Sequence, residues 1–424
     1  MSESARKSPW YWVPSLYAAE GIPYALATSV SVVFYKNLGV DNARIGFYTS
    51  LLYLPWVVKP LWGPVVDLLA TRRLWVWLMQ VFIGAVLTGM ILALPLPHFF
   101  LLTLALFWLL AFASATHDIA ADGFYLLGLS EGDQALFIGV RNTFYRVANI
   151  AMQGGLVYFA GVMQQRTGNV QTAWLLALTA AAGLMLLLGA YHRLMLPRPA
   201  ADVPRPAAGP FWGNFATTFA SFFQKPQIGL MLAFVLTYRL GEAQLVKMAQ
   251  PFLLDAPEKG GLGLATAQVA VIYGTAGVSA ALLGGLLGGF LVARHGLKFW
   301  LWPMLLAIHL PDAVFIWLAQ AQPHNVYLIS AGVLLEQFGY GFGFTAFMLY
   351  LIRLARGSHA TAHYALGTGF MALGMMVPGL WSGWLQEWLG YRHFFIWVLL
   401  ATIPSFYLAT KIPLEADFGR RRQN

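Results

Sequence analysis

The chain has 424 residues, of which 59 % are hydrophobic and only 10 % are charged. Soluble domains are about half apolar and roughly a quarter charged, so a protein with water on every side is excluded. The formal charge of +9, from 26 Lys and Arg against 17 Asp and Glu, fits cations gathered at one face of a membrane better than a nucleic-acid surface. The absence of cysteine rules out disulfides and thiolate metal sites, and no His pair has the H-E-x-x-H spacing of a zinc site. No metal or cofactor is expected.

Twelve apolar runs are each long enough for a transmembrane helix, which takes roughly 20 to 25 residues. In chain order they are 12–36, 43–70, 74–94, 98–128, 136–163 and 172–196, then 227–254, 265–293, 298–319, 325–352, 362–388 and 393–411. The first begins near Trp12 and is too long for the apolar core of a signal peptide. The reading is an all-α membrane protein with six helices in residues 1–196 and six in residues 227–424, ending in a short basic tail. Between them, residues 197–226 form a linker rich in Pro and Ala, with an amphipathic piece at Phe211–Phe223. Placing the N-terminus in the cytoplasm puts 16 Lys and Arg inside and 5 outside. The opposite orientation would invert that bias, so both termini are expected in the cytoplasm.

Charges inside helices cost roughly 2.5–3.5 kcal/mol each on insertion scales, so those present are expected to be paired or to line a cavity. Glu20 lies in the first run and Lys59 in the second; the fourth carries His117, Asp118 and Asp122, and the fifth Arg141 and Arg146. The seventh carries Arg239, Glu242 and Lys247, the ninth Asp312 after Pro311, and the tenth Glu336. Asp118 and Asp122 are one turn apart and share a helix face. The hairpin near Gly132 sets Asp118 level with Arg146, and Asp122 level with Arg141 or Asn142. These acids are either static ion-pair partners or titrating groups that take and release protons. Arg239 and Glu242, three apart, either pair along their helix or leave the guanidinium free for a carboxylate or phosphate. His117 and Asp122 have the H-x4-D spacing of some acyltransferases, but on a helix they point 140° apart. That enzyme reading is rejected. The glycines at 339, 341 and 343 sit inside an apolar helix and read as close-packing positions, not as a phosphate loop.

An internal repeat follows the second and eighth runs. Gly63 is followed by Asp67, Arg72 and Arg73; Gly289 is followed by Ala293, Arg294, Gly296 and Lys298. Both copies resemble the G-x-x-x-D-(R/K)-x-G-x-(R/K) signature of the major facilitator superfamily. The first has Leu68 and Ala70 where the signature has a base and a glycine, and the second has Ala293 in place of the acid. The resemblance implies two bundles that rock about a site near the bilayer midplane, with Asp67, Arg72, Arg73, Arg294 and Lys298 as gating residues.

A narrower resemblance lies in Ser114-Ala-Thr-His117-Asp118-Ile-Ala-Ala-Asp122, which is similar to the S-x-x-Q-D-I-x-x-D motif of the AmpG-type muropeptide permeases, with His117 in place of Gln. Tyr238-Arg-Leu-Gly-Glu242-Ala is similar to that family's Y-K-L-G-D-A, Gly21-Ile-Pro23 to its G-L-P, and Glu336–Leu351 to its glycine-rich tenth helix. The implied activity is proton-driven import of anhydro-muropeptides across the inner membrane, by a carrier working as a monomer. Asp118 and Asp122 are the first choice for proton coupling, and Glu20, Glu242 and Glu336 the next. Lys59, Arg146 and Arg239 are the expected contacts for the acidic groups of the solute. Rival readings are a permease for a siderophore or a coenzyme A ester and, from another class, an intramembrane enzyme. The last is disfavoured because no catalytic constellation lies at a membrane interface.

Overall fold

The computed structural model describes residues 8–204, 217, 219–357, 360–415 and 417–420, with only the backbone of Pro64, Val65, Asp67, Leu68, Glu131, Ala135, Ala360 and Thr361. Of the amphipathic piece expected at Phe211–Phe223, residues 211–216 and 218 lie outside the described residues. The described residues form helices and no strand. A lipid-embedded chain is restricted in this way, because every backbone N–H and C=O must find its partner within the segment.

In chain order the helical segments are α1 (13–37), α2 (42–69, interrupted by a turn at residues 52–53), α3 (Arg72–Ala93), α4 (Phe99–Gly128), α5 (131–167) and α6 (Val170–Met195). There follow α7 (Ile228–Leu254), α8 (Thr266–His295), α9 (Leu297–Ala321), α10 (Val326–Ala355), α11 (360–389) and α12 (391–409). Among the described residues, eight stretches are long and apolar enough to cross a membrane: α3, α4, α6 to α10, and Ala362–Ala409. The fifth segment begins at Glu131, five residues earlier than its apolar run, because Ser130 caps it by accepting from the Asp133 N–H at 3.2 Å. Asp41, Thr71, Asn169 and Asn325 cap α2, α3, α6 and α10 in the same way.

Several helices are locally broken. Wide π turns interrupt α1 at Leu26–Val30, α5 at Ala151–Leu156 and α8 at Ala270–Gly277. The helix α7 stops at Tyr238 and restarts at Leu240, with Arg239 at φ −111°, ψ 17° between. In α9, Leu310–Asp312 tightens to a 3-10 turn around Pro311. Gly390, at φ 70°, separates α11 from α12.

Contacts divide the chain into two compact units: Met1–Leu38 with Leu61–Pro210, and Gly39–Pro60 with Phe211–Asn424. The first part of α2 therefore groups with the second unit. The physical reason is a glycine-lined contact with α11. A methyl group at Gly46 would lie 2.7 Å from the Gly383 nitrogen, and one at Gly383 only 1.7 Å from the Asn42 carbonyl oxygen. The amide of Asn42 is buried at the same contact, donating to Gln386 Oε1 at 2.6 Å and to Tyr391 Oη at 2.9 Å. The Tyr391 hydroxyl donates in turn to Asp255 at 2.6 Å.

In the first unit, Trp12, Leu16, Tyr17, Val76, Phe124 and Tyr125 form part of a core joining α1, α3 and α4. In the second, one core gathers Phe234, Tyr238, Met304, Phe347 and Tyr350, and another Phe252, Phe315, Val333 and Phe395. The glycine run of α10 sets the spacing there. A Cβ at Gly339 would stand 2.0 Å from the Ala307 oxygen of α9, and one at Gly341 1.8 Å from the Ala281 oxygen of α8. Alternate glycines thus seat α10 against two helices at backbone contact, as expected of packing positions.

Candidate functional site

Each unit holds three acids whose carboxylate oxygens converge. In the first, Glu20 of α1 meets Asp118 and Asp122 of α4, with one oxygen from each within 4.8 Å of the others. Asp118 and Asp122 lie on one helix face as their spacing requires, and Glu20, buried on α1, faces them. Arg141 of α5 reaches Asp122 at 2.8 Å, and the Tyr17 hydroxyl donates to the same oxygen at 3.2 Å. The guanidinium lies 4.4 Å from the Tyr17 ring centroid and 5.3 Å from that of Tyr125, so two aromatic faces hold it in place.

The expected match of Asp118 with Arg146 does not form an ion pair. Arg146 is exposed. Five residues beyond Arg141 its side chain is turned by about 140° from the face that meets α4, so equal depth does not become contact. His117 also points away from the acids. It meets Gln80 of α3 at 2.8 Å; Gln80 meets His192 of α6 at 2.8 Å, and His192 meets Ser15 of α1 at 2.9 Å. This buried polar chain ties four helices together. It explains how a histidine fits beside Asp118 without pairing with Asp122, although sequence reading had no partner for it.

In the second unit, Glu242 of α7, Asp312 of α9 and Glu336 of α10 bring one oxygen each within 4.8 Å of the others. All three are buried. No hydrogen bond reaches either oxygen of Glu242 or of Asp312, while Glu336 accepts from Gln337 Nε2 at 3.0 Å. Asp312 was visible as an intrahelical acid but was not among the expected site residues; its place in the triad depends on the 3-10 turn at Pro311. The pairing of Arg239 with Glu242 along the helix is not formed. The break at Arg239 removes the i,i+3 geometry, and its guanidinium instead donates to Tyr340 Oη at 3.0 Å and lies over the Tyr340 and Phe344 rings. Lys59 is half-buried in the part of α2 grouped with the second unit. Lys247, also buried, donates to Thr49 Oγ1 at 3.0 Å.

At the end of α2 the side chain of the expected gating residue Asp67 lies outside the described residues. The backbone N–H groups of Arg72 and Arg73 both donate to Asp202, at 2.8 and 3.0 Å. Asp202 thus satisfies the open N-terminus of α3, a role no motif signalled. The Arg73 guanidinium donates to the carbonyls of Arg193 and Leu196 at the end of α6. Arg294 and Lys298 are exposed at the turn between α8 and α9. The two repeat glycines, Gly63 and Gly289, have open space where a side chain would begin.

This assembly of helices, several of them locally broken, has the fold of major facilitator transporters. Over 96 % of the chain it superposes, at a TM-score of 0.70 and 14 % identity, on 97 % of a bacterial homologue of the human lysosomal transporter Spinster. The model of the BT1 family matches residues 20–135. More specifically, the chain resembles the AmpG-type permeases over most of its length. It is 25 % identical to the anhydromuropeptide permease of Escherichia coli strain K12 over 411 residues, which is 96 % of this chain and 80 % of that protein. It is 26 % identical to the putative transporter AmpG 4 of Rickettsia conorii over 412 residues, 92 % of this chain and 94 % of that one.

Proposed function

We propose that the protein is a secondary transporter that imports anhydro-muropeptides, driven by protons. The observation that carries this reading is the near full-length similarity to a permease named for that solute, together with acids gathered inside each unit. The architecture we assign is twelve transmembrane helices in two pseudo-symmetric bundles, 1–196 and 227–424, joined by a cytoplasmic linker. It is placed in the inner membrane with both termini inside, works as a monomer, and is a carrier, not an enzyme.

Asp118 and Asp122 are the proposed proton-coupling groups, with Glu20 beside them. A carboxylate held by Arg141 stays ionised. A solute that draws the arginine away leaves the acid unpaired and favours proton uptake. Lys59, Arg146 and Arg239 are the proposed partners for solute carboxylates, a bidentate fork being what a guanidinium offers. Asp67, Arg72, Arg73, Arg294 and Lys298 are the proposed gate. The test is uptake into proteoliposomes of a GlcNAc–anhydroMurNAc peptide, with a ferric siderophore and a coenzyme A ester as competitors. Accumulation of the muropeptide under an inward proton gradient supports the reading. Transport of only a competitor moves the solute assignment and leaves the transporter standing.

A further inference from the structure

We propose that Glu242, Asp312 and Glu336 form a binding site for a hard metal cation with the size of Na⁺ or Ca²⁺. Glu242 is 0 % exposed and Asp312 and Glu336 are each 1 % exposed. The four oxygens of Glu242 and Asp312 accept no hydrogen bond, and the three acids bring oxygens within 4.8 Å of one another. Buried carboxylates without donors are costly unless they meet a positive charge. The first unit solves the same problem with its own cation, Arg141 at 2.8 Å from Asp122. In the second unit Arg239 turns to Tyr340 and the rings of α10, and the centre of the triad is built of oxygen alone.

Glu242 lies in the first turn of Leu240–Leu254, an end of a helix where the dipole is compatible with an anion. The other titratable groups in electrostatic reach are Arg239 of α7 and Tyr273 of α8. Size then selects the ion. The three oxygens lie within 4.8 Å of one another, so an ion at their centre would be at most about 2.8 Å from each, within slight contraction of the roughly 2.3–2.6 Å bonds of a Ca²⁺-sized ion. Mg²⁺ needs about 2.0–2.1 Å and keeps its waters; it is the ion the site should refuse.

The test uses the purified full chain in detergent, at constant ionic strength balanced with choline chloride. NaCl, CaCl₂ and MgCl₂ are titrated at fixed pH while tryptophan fluorescence follows Tm, and binding of ²²Na⁺ and ⁴⁵Ca²⁺ is measured at equilibrium. The expected result is a saturable rise of roughly 2–4 °C with Na⁺ or Ca²⁺ but not Mg²⁺. That rise disappears in Glu242→Gln and Asp312→Asn and persists in Glu258→Gln, a loop acid. Should the triad variants not fold, isotope binding by the wild type decides. No saturable isotope binding, a rise unchanged in both triad variants, or a response to pH without one to any metal overturns the proposal. No muropeptide enters the experiment, so its failure is separate from failure of the solute assignment.

Discussion

Gly341→Ala adds one methyl group where α10 touches α8. Its Cβ would stand 1.8 Å from the Ala281 carbonyl oxygen, 2.5 Å from the carbonyl carbon and 2.7 Å from Cα. All three are backbone atoms, so no side chain can swing aside. Relief requires the two helices to part by more than an ångström. A gap of about 0.5–1 Å already forfeits a quarter to a half of each contact's attraction. Overpacking of this kind costs roughly 1–3 kcal/mol, against a gain of about 0.5–1 kcal/mol from replacing a helical glycine by alanine. The net expectation is a loss of about 1–2 kcal/mol. Gly289→Ala on α8 is the control, because nothing lies within 4 Å of its Cβ position; there the propensity gain stands alone and Tm should hold or rise. The assay is thermal unfolding in detergent followed by tryptophan fluorescence, with monodispersity checked by size exclusion. Equal Tm changes in the two variants, or a Gly341→Ala Tm at or above wild type, would refute the argument that backbone contact sets the α8–α10 spacing.

Asp118→Asn and Asp122→Asn are each expected to fold and exchange solute; at least one should fail to accumulate it under a pH gradient in vesicles, and normal accumulation by both would place the proton site elsewhere. Arg239→Lys keeps the charge but loses the planar fork over Tyr340 and Phe344, so muropeptide affinity should fall by about tenfold; isothermal titration checks it, and unchanged affinity removes Arg239 from the solute site. Asp202→Ala leaves the N–H groups of Arg72 and Arg73 without their acceptor and should cost roughly 1 kcal/mol, read as faster hydrogen exchange in the first turn of α3. Glu415 is held below its usual carboxylate range, first by hydrogen bonds from Arg353 and then by the charges of Arg353 and Arg356. Its contact is complete above the unfolded pKa and is lost as pH falls through the lowered one. Limited proteolysis should therefore cut near residue 415 more readily at acid pH, and Glu415→Gln should remove that dependence.

Much of the helix pattern was legible because lipid leaves a chain few choices. The ends of the apolar runs and of the described helical stretches agree to within a few residues, apart from the capped start of α5. Asp118 and Asp122 on one face, and Asp122 at the level of Arg141, also followed from 100° per residue and a hairpin centre. What failed was azimuth between helices. Depth alone could not say that Arg146 is exposed on a face turned from that of Arg141, or that His117 finds Gln80 and not an acid. The break at Arg239 was equally hidden, since Tyr238-Arg-Leu-Gly-Glu contains no proline and reads as continuous helix.

The second triad shows why local irregularity governs the site. A straight α7 would set Arg239 one turn from Glu242 and let the two charges cancel along the helix. The irregular φ at Arg239 and the 3-10 turn at Pro311 instead send the guanidinium to α10 and bring Asp312 beside Glu242 and Glu336. Both units thus converge on three buried or half-buried acids, but only the first has its cation at ion-pair distance within the group. On the roles proposed above, the site with an internal arginine changes charge when a solute competes for that arginine, and the site built of oxygen alone changes charge when a small cation enters or leaves. Two units with the same acid count would then differ in chemistry through one side chain on α5 and one broken turn on α7.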